Sequence, residues 1–556
     1  MGSKTKVLIV GLDGVPLSLI EAWATEGKLP TLRKLMEEGT VGELRSTIPP
    51  TSGPSWSTFM TGKNPGKTGI YDFLYRREGT YVFPPVNASQ RDGIALWRLL
   101  SNRGRKVGVV NVPISYPVEE VNGYMISGWM TPYSAQDFCY PADLWRELKD
   151  QIGYYTIYPT ETFAESRRDS FFRACDELLD LRSRTVSYLM DRYPTDLFMV
   201  VLFDTDRVLH QLWHYLDPGH PWRQPGDGTD KSGPVVRYFQ RVDEKLAEIV
   251  ARADEDTVII ILSDHGMGPA HNFIVLNNWL LEVGLLQLKR DPFRLLKRWL
   301  FDAGFTLRNV HRIADRIGLA KHAEYKGLYS MDYLMKLVFL SFLDVDWSRS
   351  KAYSFGRHLG SIYLNVRGRE PEGIVEPGRE YEEVREEIMR LARGFVHPRT
   401  GEPLIGEILK REDIYQGPYL DRAPDLILRP RDERNIFFGL ADFGSNITVD
   451  TVYRYSGMHR DYGLLIMTGK GVKKGAAIEG AGIEDLAPTV LYAMECPVPQ
   501  DMDGRVLSEV FTEEFRNQVT LLQSEEGSSR ELHEAVYTEE AEEEIKERLR
   551  GLGYLG

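Results

Sequence analysis

Short apolar runs recur along this chain, each closed by a residue that favours turns. Lys6–Val10, Lys106–Val112, Asp196–Phe203 and Thr257–Ser263 are rich in β-branched or large apolar residues and too short for ordinary helices. They therefore read as strands near 6–10, 106–112, 196–203 and 257–263. The runs are nearly continuous rather than alternating, as expected of strands covered on both faces in a parallel sheet. Between them the apolar spacing changes to three and four. Leu29–Glu38 reads as a helix, and so does Phe163–Arg192, where Phe171, Cys175, Leu178, Leu181 and Leu189 share one side with Leu179 at its edge. Strands alternating with helices predict an α/β fold, a mostly parallel sheet flanked by helices.

That alternation holds over residues 1–285. Residues 286–349 are rich in Lys, Arg, Leu and Phe, with helical spacing in Phe293–Leu300. They read as an inserted helical cap beside the site, and a basic amphipathic helix leaves contact with a membrane surface open. Residues 350–515 turn strand-like again at 352–366, with 425–429 and 463–467 expected to rejoin the sheet. A charged, partly helical, small α+β subdomain is expected at 367–420. Residues 516–556 form an acidic helical tail, in which Glu539–Arg550 reads as a surface helix stopped at Gly551. Leu549, Leu552, Tyr554 and Leu555 are expected to dock that tail on the body.

Composition narrows the function classes. The 556 residues carry 81 acidic and 68 basic side chains, a net charge of −13. That argues against bulk nucleic-acid binding, though not against a local basic pocket. The three cysteines have no metal-ligand spacing and form no disulfide framework. No apolar run approaches the length of a membrane span. The first residues run into strand one without a signal-peptide pattern, so a cytoplasmic location is the simplest expectation. Oligomeric state is not legible.

The chemistry-bearing residues sit at the ends of the strand-like runs, where ligands of open α/β sheets gather. Asp264-His265-Gly266 follows one run and Gly11-Leu12-Asp13-Gly14 another. Asp206 and His210 follow a third; four apart on a helix, they face one ion together. Mixed carboxylate and imidazole donors suit zinc, then manganese or iron. His214, a turn further on beside aromatic residues, fits packing better than ligation, and Asp204 is a supporting candidate. His459 precedes the run at 463–467. In Pro49-Pro-Thr51-Ser52-Gly-Pro54-Ser55, a hydroxyl stands at the start of a helix, whose N–H groups and partial positive charge suit a phosphoryl oxyanion. Each segment also has a plainer reading as a turn, a helix cap or a surface histidine.

Taken in order, these segments resemble the type I phosphodiesterase/nucleotide pyrophosphatase branch of the alkaline phosphatase superfamily. The resemblance also draws on Thr61–Ile70, Asp485–Thr489 and Asp501–Gly504, and spans about residues 5 to 510. It implies an alkaline-phosphatase-like core and two divalent ions, zinc first and manganese second. One ion would be held by Asp13, Ser52, Asp264 and His265, the other by Asp206, His210 and His459. Ser52 would be the nucleophile of a phosphoseryl intermediate, with Thr51 as the fallback, on a small phosphodiester or nucleotide-like substrate. The branch's usual nucleophile is Thr, and where relatives place a phosphoryl-binding Asn this chain has Ser55. Lys63 and Lys67 are further candidates for phosphate contact. The alternatives are a phosphomonoesterase or cofactor-independent phosphoglycerate mutase-like enzyme, and a catalytically silent metal- or phosphate-binding protein. A sulfatase is disfavoured, because no cysteine begins that family's modified motif.

Overall fold

The apolar runs form a sheet whose register decides where the chemistry lies. The computed structural model describes residues 4–551 apart from 159–160, 162, 224–231, 307, 311–312, 314–336, 358–359, 440–442, 454 and 526–536. Its main strands are β1 (Lys6–Leu12), β2 (Thr40–Arg45), β3 (Val107–Val112), β4 (Gly123–Ser127), β5 (Leu197–Leu202), β6 (Thr257–Leu262) and β7 (Tyr462–Gly469). They lie in the order β2–β7–β6–β1–β5–β3–β4, with two short strands along the β2 edge and Cys139–Tyr140 beside β4. The five strands from β6 to β4 are mutually parallel, whereas β7 runs antiparallel to both β6 and β2. The result is a large, mostly parallel sheet within an α/β fold.

Successive side chains of a strand point to opposite faces, and both faces here are covered. Val7 and Ile9 of β1 pack with Trp56, Phe59 and Met60 on one side. Leu8, Val10 and Leu12 pack on the other side with Phe171, Cys175 and Leu189 of the helix Arg168–Arg192. All six apolar positions expected to share a side of that helix are buried, Leu179 included. The three cysteines are buried and free.

Register brings the strand ends together. Leu12 pairs with Leu202, and Gly11 pairs with both Val201 and Leu262. The residues just after β1, β5 and β6 therefore emerge side by side. Because β7 is antiparallel, its beginning lies at that same edge, where Ser263 N donates to Leu464 O.

One expectation is overturned. The 463–467 run joins the main sheet within β7, but the 425–429 run does not. Leu426–Pro430 belongs to a separate antiparallel sheet with Ala352–Ser354, Gly360–Leu364 and Ile405–Lys410. A short apolar run reads alike in either sheet, and its partner is chosen by chain crossings that a local pattern does not record. Asp425 anchors this second sheet. Burial pushes its carboxyl up, but Arg369 and Arg411 outweigh that and hold it at about 2. Arg369 grips it through two N–H groups at 2.8 and 2.7 Å.

The helix Glu539–Gly551 is docked on the body through Ala541, Ile545 and Leu549, all buried. Its Arg548 guanidinium lies over the rings of Tyr133 and Tyr158, 3.3 and 3.7 Å from their centroids. Leu552, Tyr554 and Leu555 fall outside the described residues, as does much of the region expected to form the cap. No described helix is long and apolar enough to cross a membrane.

Candidate active site

The strand ends carry a buried cluster of three carboxylates, three imidazoles and one hydroxyl. Asp13 leaves β1, Asp264 and His265 leave β6, and helix α1 (Ser52–Thr61) presents Ser52 as its first residue. Helix α2 (Asp204–Leu212) follows β5 and places Asp206 and His210 one turn apart. His459 lies on the short strand Gly457–Arg460, which pairs with Gly266–Pro269 directly after His265. All seven side chains predicted as ligands or nucleophile are buried.

They fall into two adjoining groups. Asp13, Asp264 and His265 offer ligand atoms within 4.8 Å of one another, and so do Asp206, His210 and His459. The rings of His265 and His459 stack with centroids 3.7 Å apart, which makes the groups neighbours. Ser52 Oγ donates to Asp13 Oδ1 at 3.2 Å and lies 3.1 Å from His265 Nε2. Thr51 precedes the helix, and its buried hydroxyl makes no hydrogen bond among the described residues. The geometry thus singles out Ser52 over Thr51 as the hydroxyl facing the ligand atoms.

The imidazoles are oriented alike. The Nδ1 of His265, His210 and His459 lies 3.0, 2.8 and 2.8 Å from the carbonyl oxygens of Gly266, Gly457 and Pro50 respectively. A carbonyl only accepts, so each Nδ1 carries the proton and each Nε2 lone pair faces the cluster. His210 Nε2 and His459 Nε2 are 2.8 Å apart, and both lie within 3.4 Å of Asp206 Oδ1. Two lone pairs that close need a proton or a cation between them. Burial, then the neighbouring His265 and His210, hold the His459 pKa well below its ordinary value, which disfavours the proton.

The carboxylates point the same way. Burial raises Asp13 well above the usual carboxylate range, and Asp264 and Asp206 raise it further. Burial, followed by the charge of Asp206, pushes Asp264 up to about 8. Its buried Oδ2 has no hydrogen-bond partner among the described residues. Asp425, equally buried, is held low by arginines; Asp13 and Asp264 face other carboxylates instead. This donor set fits divalent cations, which would take the buried carboxylates as anions and the imidazoles as neutral ligands.

A pH dependence follows. In the metal-free protein the raised Asp264 pKa means that folding favours its protonated form. Its stabilising contribution is full below the ordinary carboxylate range and is lost as pH rises toward about 8. Ligation requires the ionised form, so metal affinity should increase from about pH 6 to pH 8 with proton release on binding. Calorimetry in buffers of different ionisation enthalpy measures that release; affinity independent of pH would contradict it.

Several residues that the sequence reading passed over support the cluster. Trp56 Nε1 donates to Asp13 Oδ2 at 2.8 Å, leaving Oδ1 toward Ser52. Thr205 Oγ1 donates to Asp13 O at 2.6 Å, and Ser46 Oγ donates to Asp264 O at 2.6 Å. Trp56 had one readable signal, its position four after Ser52 on the same helix. Trp56→Phe keeps the ring and removes only the N–H. Metal affinity is expected to fall by about 10- to 100-fold, as for other groups that orient a ligand; titration of the metal-free protein would reveal an unchanged affinity if Trp56 only fills space.

The residues expected to contact phosphate have partners within the protein. Lys63 Nζ pairs with Asp501 Oδ2 at 2.7 Å, and Lys67 Nζ with Asp503 Oδ1 at 2.5 Å. These ion pairs tie the segment after α1 to the loop at 501–503. Ser55 Oγ sits 2.8 Å from Ser46 Oγ and 3.0 Å from Thr47 Oγ1, a hydroxyl network under the helix start. His214 is packed, with Nδ1 3.0 Å from Ser456 Oγ. Asp204 lies outside both ligand groups, with Arg207 Nη1 3.9 Å away.

Comparison with known proteins points to one family. A model of the family described as type I phosphodiesterase / nucleotide pyrophosphatase matches residues 7–442. Phosphonoacetate hydrolase from Sinorhizobium meliloti 1021, solved with phosphonoformate, is 15% identical; the match covers 88% of this chain and 95% of that one, with a TM-score of 0.52. Its complex with phosphonoacetate matches with the same identity and coverage and a TM-score of 0.50. Human ectonucleotide pyrophosphatase / phosphodiesterase 5 is 13% identical over 91% of this chain and 100% of that one, with a TM-score of 0.49. No curated protein sequence matches the chain.

Proposed function

The chain belongs to the type I phosphodiesterase / nucleotide pyrophosphatase family, and from that premise we propose that it hydrolyses phosphodiester or pyrophosphate bonds through a phosphoseryl intermediate on Ser52, at a site for two divalent cations. The observation that carries the reading is the convergence of Ser52 Oγ with Asp13 Oδ1 and His265 Nε2 at 3.2 and 3.1 Å, beside the second ligand group.

Asp13, Asp264 and His265 would hold one cation together with Ser52 Oγ, and Asp206, His210 and His459 the other. When bound, such cations supply positive charge that activates oxygen nucleophiles and stabilises charge developing on phosphoryl and leaving-group oxygens. Zinc suits this mixed nitrogen and oxygen set, with manganese second.

The chain's own residues do the rest. Ser52 stands at the α1 N-terminus, where the helix dipole favours an anionic phosphoryl group. Its hydroxyl proton is steered toward Asp13 Oδ1, which leaves an oxygen lone pair for phosphorus. Attack forms the Ser52 O–P bond and breaks the bond to the departing alcohol or phosphate. Water then cleaves the Ser52 O–P bond, restoring the hydroxyl and releasing a phosphomonoester. The backbone carbonyls that fix the three imidazoles keep the Nε2 atoms aimed inward throughout.

Turnover of bis-p-nitrophenyl phosphate against p-nitrophenyl phosphate, with zinc or manganese supplied, tests the proposal. The diester should be preferred. Monoester preference would favour the phosphomonoesterase or mutase-like alternative, and metal binding without turnover would leave a silent binding protein.

A further inference from the structure

The helix Pro292–Asp302 is turned inside out. At 100° per residue, Leu295, Trp299, Leu296, Leu300 and Phe293 occupy about 160° of its circumference. That face looks outward: Phe293, Leu295, Leu296 and Trp299 are 50, 53, 52 and 64% exposed. The inward side instead buries Lys297, whose Nζ meets buried Asp344 Oδ2 at 2.5 Å, together with Phe301. Burying a lysine in an ion pair while displaying tryptophan and leucine opposes the ordinary arrangement of a surface helix. Contiguous exposed apolar side chains of this kind mark interaction sites.

Charge indicates what would cover the face. Residues 289–298 hold five basic residues and one acidic one, in a chain whose acidic residues outnumber the basic. Lys289 and Arg290 are exposed at the start of the helix. On the same wheel Arg294 and Arg298 stand on the side away from the arc; Arg294 pairs with Asp291 at 3.5 Å and Asp344 at 3.6 Å, Arg298 pairs with Asp302 at 2.9 Å, and the Arg294 guanidinium lies 5.5 Å from the Phe293 ring centroid. Tryptophan, phenylalanine and leucine on one exposed helical arc, with exposed Lys289 and Arg290 just before the helix, suit a helix lying against an anionic bilayer interface. We infer that the outward face of Pro292–Asp302 docks the enzyme on an anionic lipid surface.

Co-sedimentation of the full chain with vesicles tests this, comparing phosphatidylcholine alone with phosphatidylcholine containing about one third phosphatidylglycerol. The protein should partition onto the anionic vesicles and release as salt is raised. Leu296→Ser combined with Trp299→Ser should lower partitioning about ten-fold or more, since both remove apolar area from the interface. Hydrolysis of a soluble diester should be unchanged. Because the native cysteines are buried, Leu295→Cys can be labelled with an environment-sensitive dye, whose emission should shift to the blue on anionic vesicles. Absence of binding by the parent protein, or equal binding by the double variant, would overturn the inference. So would a Leu295→Cys thiol that resists labelling without lipid, or a concentration-dependent dimer abolished by the double variant.

Discussion

Ser52→Ala is expected to lower diester turnover by roughly several hundred-fold or more while metal content stays close to that of the parent protein. Ser52 carries the one hydroxyl of the cluster, and in the proposed reaction it forms and breaks the bond to phosphorus. The groups Asp13–Asp264–His265 and Asp206–His210–His459 each keep three candidate ligands without it. Losing Ser52 Oγ also frees Asp13 Oδ1 from a 3.2 Å hydrogen bond without moving Trp56, which holds Oδ2. Fold and metal stoichiometry should therefore survive. Acid quenching of the parent enzyme during turnover should trap the phosphoryl group, still carrying its second ester, on Ser52, and the variant should trap none. Near-normal turnover by Ser52→Ala would transfer the nucleophile to Thr51 or to water, and Thr51→Ala would distinguish those two.

Asp206→Ala should cost as much or more, on the order of a thousand-fold, because it dismantles one ligand group instead of removing the nucleophile. Asp206 Oδ1 lies within 3.4 Å of the Nε2 atoms of both His210 and His459. Without that carboxylate, two neutral imidazoles hold the ion with no anionic partner. Metal analysis should find two ions per chain in the parent and one in the variant. Stability should move the other way in the absence of metal. The charge of Asp206 raises the pKa values of both Asp13 and Asp264, so its removal relieves repulsion in a buried site. With chelator present, the variant should melt no lower than the parent. A variant that retains two ions, or that melts well below the parent in chelator, would mean that Asp206 is a structural residue.

The candidate site was legible to an unusual degree because its residues follow the strands that carry them. Asp13, Asp206, Asp264 and His265 each come within four residues of the end of an apolar run. In a parallel sheet those ends share one edge, so separate weak signals add up to one prediction. His459 was the weakest, as a loop histidine before a strand. It reaches the cluster because β7 runs antiparallel and brings its beginning to the edge where the other strands finish. The partners of Lys63 and Lys67 were hidden for the opposite reason. A lysine near a phosphate-binding loop looks available until the chain 430 or more residues away supplies Asp501 and Asp503.

Local order along the chain was enough to establish the α/β class, five of the seven main strands and the buried face of Arg168–Arg192, and the family resemblance carried by its motifs named the seven residues that converge. Hydrophobic periodicity and turn chemistry act over a few residues, and a sequence records such short-range preferences directly. Folding alone settled the rest: that Leu426–Pro430 builds a second sheet, that Trp56 holds Asp13, that three carbonyls aim three imidazoles inward, and that Pro292–Asp302 buries its lysine and displays its tryptophan. Each of those outcomes depends on which distant segment comes into contact, and on the burial and charge that the contact creates, quantities no window of neighbouring residues contains.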